Sequence, residues 1–204
     1  MKIRTATESD LPAIVAIADA SIAAGGRTGF TSLRSLDAWR EWYREHDPMT
    51  HPVLVACVEE AAAASSTDLF DPPATPGAKP SIDTPPLAGS PVVGYLAFSP
   101  YRPGRPALAR TAELSLFIAD AYHRRGVGSA LLRHAIDLAP TLGLDRLVGY
   151  LLATNPASRE FFHAHGFELW GTLPGVARVG ERDVDHWIVG RVLAPASGAS
   201  RSVR

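Results

Sequence analysis

Tyr122-His123-Arg124-Arg125-Gly126-Val127-Gly128-Ser129-Ala130-Leu131-Leu132 is the stretch whose reading decides the fold. It follows a strand-like run, Glu113-Leu114-Ser115-Leu116-Phe117-Ile118, and opens an apolar helical pattern. Two glycines at a helix start leave backbone N–H groups bare and let a ligand approach closely. The helix dipole adds partial positive charge there, and Arg124 and Arg125 add full charges. The combination suits an anion, and a pyrophosphate fits best. A P-loop is excluded because no Lys precedes Ser129, and a dinucleotide fingerprint because Leu131 stands where its third small residue belongs. An ordinary glycine-rich strand-to-helix turn gives the same local pattern, so the surrounding elements must decide.

The 204 residues suffice for one domain with a full core. A formal net charge of −1 gives no general attraction to nucleic acid or to an anionic membrane, so phosphate recognition must be local. No apolar run reaches the length of a membrane span. The start, Met1-Lys2-Ile3-Arg4-Thr5-Ala6, already reads as folded protein and no leader pattern is seen, so a cytoplasmic setting is expected. Cys57 is the single cysteine, lies in a strand-like run and has no partner for a disulfide. The scattered His46, His51, His134 and His186 show no metal spacing, so no metal is expected.

Outward from the glycine loop, residues 2–6 read as a strand and 9–23 as a helix with Leu11, Ile14, Ile17 and Ala18 in a stripe. A glycine-rich break at 25–29 leads to Phe30, and a second helix spans about 36–46. Residues 52–58 and 91–98 read as partner strands, then 112–119 as a third. The helix after the loop runs from about 126 to 140, followed by a strand at 145–152, a short helix at 155–165, and strands at 167–171 and 183–193. Residues 60–90, rich in Ala, Ser and Pro, read as a disordered insertion at a hairpin tip rather than a domain boundary. Residues 1–193 thus form a single domain, with a flexible tail at 194–204. The order predicts an α/β fold, a mixed central sheet of about seven strands flanked by about four helices.

This order, the glycine loop and the run Asn155-Pro156-Ala157-Ser158-Arg159-Glu160-Phe161-Phe162-His163-Ala164-His165-Gly166-Phe167 together resemble the GNAT N-acetyltransferase superfamily. His123 stands where the family loop has Gln or Arg. Within the superfamily the chain is most similar to the phosphinothricin and methionine sulfoximine acetyltransferases, through Thr111-Ala112-Glu113, Asn155-Pro156 with Ser158, and Gly171-Thr172-Leu173. The resemblance implies the acyl-CoA N-acyltransferase fold, acetyl-CoA as cosubstrate, a small-molecule amine acceptor and a homodimer. It implies that His123, Arg124, Arg125, Gly126, Val127, Gly128 and Ser129 hold the cofactor's phosphates. Leu116, Phe117 and Ile118 would pair with the pantetheine arm through their backbone, beside Asn155, Ser158 and Phe162.

Acetyl transfer needs an amine that has lost its proton. An amine with a pKa about two units above the pH pays roughly 2.7 kcal/mol to be neutral. A carboxylate acting as general base lowers that cost. The resemblance sets the family's catalytic glutamate on Glu113, where a solvated strand-end side chain is the alternative. Asn155 is a catalytic candidate and also suits a helix N-cap. Phe162 stands where many members have a Tyr that protonates the leaving thiolate, and Phe cannot donate. The resemblance puts Phe30, Arg102 and Arg105 at the acceptor; a solvated basic loop is the alternative for the two arginines. Leu108 replaces an expected aromatic. Two other readings stand beside the enzyme for small amines: an acyl-CoA-binding module without turnover, and a protein or peptide N-acetyltransferase.

Overall fold

The computed structural model describes residues 1–26, 28–30, 32–58 and 91–194. The insertion read at 60–90 and the tail read at 194–204 lie outside the described residues, apart from Ala194. Seven strands form one sheet in the order β1-β2-β3-β4-β5-β7-β6. They are β1 (Lys2–Thr5), β2 (Val53–Cys57), β3 (Val92–Pro100), β4 (Thr111–Ile118), β5 (Arg146–Leu152), β6 (Glu168–Val179) and β7 (Arg182–Val192). Four α-helices are described: α1 (Leu11–Ala23), α2 (Leu36–Arg44), α3 (Val127–Leu138) and α4 (Pro156–Ala164). All pairings are antiparallel except β4 with β5.

The alternation of β4 divides the core. Ala112 and Leu114 point to one face, where they pack with Leu131, Leu132 and Ala135 of α3 and Phe162 of α4. Phe117 points to the other, towards Tyr95, Ile14 and Ile17 of α1 and Trp39 of α2. Each helix therefore buries one apolar stripe against one face of the sheet. Arg4 clamps the start of α1, with both guanidinium nitrogens 2.7 Å from the carboxylate of Asp10. Asp10 also accepts from the Thr7 N–H at 2.7 Å.

Most boundaries shift from the sequence reading by one or two residues, and two differences have a visible cause. The strand read at 167–171 runs on to Val179, because β6 passes Gly171 and Pro174 by shifts of register against β7 rather than by ending. Pro174 lies in the irregular stretch between Leu173 and Ala177, on the outermost strand, where a missing N–H breaks no ladder bond. The first helix begins at Leu11 because Glu8–Asp10 form a tighter 3-10 turn ahead of it.

Candidate active site

The feature that builds the site is a parting of neighbouring strands. β4 and β5 pair at Thr111↔Arg146, Ala112↔Leu147 and Glu113↔Val148, and no further. Beyond that point β4 stays paired with β3 up to Gly94↔Ile118, while β5 stays paired with β7 up to Leu152↔His186. A wedge opens between them, and the β4 backbone from Leu114 to Ile118 turns one ladder edge into it. A cleft of about 740 Å³ follows the wedge.

The glycine loop closes one end of this cleft. Gly126 caps α3 in the left-handed region at φ 82°, and Arg124 also has positive φ, at 58°. The first helical bond runs from Ala130 N–H to the Gly126 carbonyl, 3.0 Å. The N–H groups of Val127, Gly128 and Ser129 therefore precede every helical acceptor. A Cβ on Gly128 would stand 3.4 Å from the Phe161 ring, so the missing side chain keeps a narrow passage open. His123 Nε2 lies 2.9 Å from the Ile118 carbonyl and ties the loop back to the end of β4. Arg125 stacks over the Tyr122 ring at 5.4 Å and does not line the cleft.

Asn155 caps α4, its side-chain oxygen accepting from Ser158 N–H at 3.2 Å, and both residues line the cleft. The cap uses the Asn155 oxygen and leaves its NH₂ group for other partners. Phe162 is buried against Phe167 and packs over Gly149, where a side chain on that glycine would meet its ring at 3.5 Å. It also reaches the cleft wall.

Glu113 is the last β4 residue in the ladder with β5, so its carboxylate stands where the strands begin to part. Its side chain shares the face of Ser115 and Phe117. Burial pushes its carboxyl above the usual range, and the nearby Arg102 charge pulls it back in part. Glu113 is thus a half-buried carboxylate with a raised pKa at the mouth of the wedge.

Of the residues expected at the site, Glu113, Leu116, Phe117, Ile118, His123, Arg124, Gly126, Val127, Gly128, Ser129, Asn155, Ser158, Phe162 and Phe30 all line this one cleft. Arg102 and Arg105 do not. They line a second cavity of about 400 Å³ with Tyr101, Leu108 and His51. The turn that carries them has Arg102 at φ 57° and Gly104 at φ 78°, and the Arg102 charge still reaches Glu113 and Tyr150 at the cleft. Two residues that sequence reasoning missed, Tyr150 and His186, also line the cleft. Among the described residues no group of three or more His, Cys, Asp and Glu is placed to hold a metal ion.

A mixed sheet opened beside a bare helix N-terminus, with a carboxylate at the opening, defines an acyltransferase of the N-acetyltransferase type. The chain belongs to the acetyltransferase (GNAT) family, whose model matches residues 34–167. It is 31% identical over 194 residues to the Bacillus subtilis protein named "putative phosphinothricin acetyltransferase YwnH", covering 95% of this chain and 100% of that one. It is 27% identical over 199 residues to the L-methionine sulfoximine/L-methionine sulfone acetyltransferase of Pseudomonas aeruginosa, covering 97% of each chain. Among solved structures, a crystal structure titled as a putative phosphinothricin N-acetyltransferase matches with a TM-score of 0.75 at 30% identity, over 95% of this chain and 98% of that chain. The Salmonella typhimurium yncA structure, solved with acetyl-CoA, shares the fold with a TM-score of 0.75 at 23% identity, over 98% of each chain.

Proposed function

We propose that this protein transfers acetyl from acetyl-CoA to the amine of a small, amino-acid-like acceptor of the methionine sulfoximine or phosphinothricin kind, with Glu113 as general base. The observation that carries this reading is the end of the β4–β5 ladder at Glu113↔Val148, beside the bare N-terminus of α3. The names of the relatives support the acceptor class.

The site residues divide the work. The N–H groups of Val127, Gly128 and Ser129, with Arg124 beside them, bind the pyrophosphate of acetyl-CoA. The free edge of Leu116–Ile118 pairs with the pantetheine amides as an added strand and holds the thioester in the wedge. The Asn155 NH₂ group hydrogen-bonds the same arm. Glu113 takes the proton from the acceptor ammonium, the neutral nitrogen attacks the thioester carbonyl, and the adduct loses a second N–H proton to solvent as the C–S bond breaks to release the thiolate. Phe162 supplies packing and no proton, so the thiolate takes its proton from solvent or leaves without help.

The protein works as a homodimer in a reducing cytoplasmic setting, where its single buried thiol, Cys57, stays reduced. Support for the dimer comes from β6, an edge strand with Leu169, Trp170, Leu173 and Val176 all exposed. Such an edge is normally covered. Incubation with acetyl-CoA and a panel of amines, with thiol release followed by a thiol reagent, tests the function. Amino-acid analogues should turn over faster than peptides or polyamines. Acetyl-CoA binding with no thiol release from any amine would leave a binding module instead.

A further inference from the structure

Glu113 has a polar neighbour on the next strand, where β3 pairs Ser99 with it. Residues directly opposed across an antiparallel pair share one face, with their Cβ atoms about 4.5–5.5 Å apart. That face carries Tyr95, Ala97 and Ser99 of β3 beside Phe117, Ser115 and Glu113 of β4, and α2 packs over it. The Trp42 ring meets Tyr95 at 6.3 Å, and His46, two residues past the end of α2, meets Ser99. His46 Nε2 is 3.2 Å from the Ser99 hydroxyl oxygen, and Nδ1 is 2.6 Å from the Trp42 carbonyl. The Trp42 ring, 4.4 Å from the imidazole, fixes its orientation further.

The direction of these bonds follows from the partners. A carbonyl can only accept, so His46 Nδ1 carries a proton. Burial pushes the imidazole down towards its neutral form, against the Trp42 carbonyl and the Glu45 charge, which act the other way. In that form Nε2 is a bare lone pair, and the Ser99 hydroxyl donates its one proton to it. The Ser99 oxygen then has only lone pairs left for its other neighbours. A protonated Glu113 carboxyl has an O–H to give to such an oxygen, whereas a carboxylate has none. Burial of Glu113 favours the same protonated state. Two other elements bring groups to Glu113: the β3–β4 turn brings the Arg102 charge, which favours the carboxylate, and β5 brings Tyr150, bonded to Tyr101 and raised by the Glu113 charge. On the His46 side stand Glu45 and His51, and His51 feels Asp47 in turn.

We propose that Ser99 and His46 are positioning residues for the base: the Ser99 oxygen, its own proton held by His46 Nε2, accepts a hydrogen bond from the Glu113 carboxyl once that carboxyl has taken the proton of the acceptor amine. The proposal rests on the reading of Glu113 as general base. Both residues lie outside the lining of the cleft and act through Glu113. Ser99→Ala removes the acceptor, and His46→Phe frees the Ser99 proton to donate to the carboxylate. Each should lower the midpoint at which Glu113 titrates by about half a unit to one unit on the pH scale, the size of one net hydrogen bond. Ser99→Thr keeps the hydroxyl and should leave the midpoint where it is.

Carbon-13 NMR titration of protein labelled at the glutamate carboxyls reads the midpoint, with the Glu113 signal assigned by its absence from Glu113→Gln. A midpoint unmoved or raised in Ser99→Ala, or in a folded His46→Phe, overturns the proposal, and so does an equal fall in Ser99→Thr. If His46→Phe fails to fold, Ser99→Ala and Ser99→Thr decide it. The acid limb of kcat/KM should move with the midpoint; a merely structural role would lower kcat and move neither. Failure of the base reading looks different: the NMR midpoint then falls as stated, while the acid limb stays in place or no amine releases thiol.

Discussion

Glu113→Gln separates the base from everything else in the cleft. The substitution keeps the shape of the side chain and its place as the last β4 residue paired with β5, but removes the proton acceptor. A positioned base contributes about 10²- to 10⁴-fold, so kcat should fall at least about 100-fold near neutral pH, or about 2.7 kcal/mol of barrier. The deficit should shrink as pH rises, because the acceptor amine is then already neutral. Burial raises the Glu113 carboxyl above the usual range. The acid limb of the wild-type pH profile should therefore lie above that of a solvated carboxylate, and it should vanish in the variant. The same shift has a stability consequence of opposite sign. A raised folded-state pKa means that the group's contribution is fully present below its unfolded pKa and is lost as pH rises through the folded one. At neutral pH the wild type lacks that contribution, while Gln, which never ionises, keeps it. Glu113→Gln should thus be more thermostable at pH 7 and less active, with the Tm advantage closing as pH falls below the carboxylate range. Stopped-assay kinetics across pH and melting curves in the same buffers read both. A pH-independent loss of activity with an unchanged or lower Tm at pH 7 would refute the base assignment.

Other outcomes follow from named contacts. Asp10→Asn breaks the bidentate contact with Arg4 at the start of α1 and should cost about 1.5–3 kcal/mol in urea unfolding. Burial pushes the Asp10 carboxyl up, but Arg4 and Thr7 outweigh it and hold it below its usual value. The contribution is present above the unfolded pKa and lost as pH falls through the folded one, so the gap between wild type and variant should close in acid. Gly190→Ala drives a methyl group into the Trp170 ring, which already lies over that glycine, and should displace Trp170 with a visible change in its fluorescence. Residues 59–90 join two strands that already meet at Cys57↔Val92, with the Val58 N–H bonded to the Pro91 carbonyl at 3.1 Å. Replacing them with a short Asn-Gly turn should leave melting and acetyl-CoA binding intact; loss of binding would assign the segment to the site.

The parts of this protein that were legible in its sequence are those set by local periodicity and local chemistry. The Gly126–Gly128 loop announces a helix start with bare N–H groups, and Glu113 sits at a fixed distance before it on a strand. What stayed hidden depends on which strands part. Nothing in Arg146–Leu152 marks that β5 leaves β4 after Val148, so Tyr150 reads as one more aromatic in a buried strand. His186 is invisible for the same reason, since its place follows from the β5–β7 register. The arginines of 101–105 line a neighbouring cavity from a turn in which Arg102 is left-handed, and sequence gives no sign of positive φ at a residue that is not glycine. β6 was cut short at Gly171 because glycine and proline normally end a strand, whereas an outermost strand can carry both across a register shift.

Titration calorimetry of acetyl-CoA against the wild type and Gly128→Asp tests the central claim most directly. Gly128 has ordinary helical geometry and its Cβ would meet the Phe161 ring only at van der Waals distance, so the variant should fold and melt like the wild type. Its carboxylate would stand among the N–H groups of Val127, Gly128 and Ser129, where the pyrophosphate belongs. The account predicts tight binding by the wild type and at least about a 100-fold loss in the variant, from one anion displaced by another at a helix N-terminus. Equal affinity in the two proteins would contradict the reading of this cleft as an acetyl-CoA site.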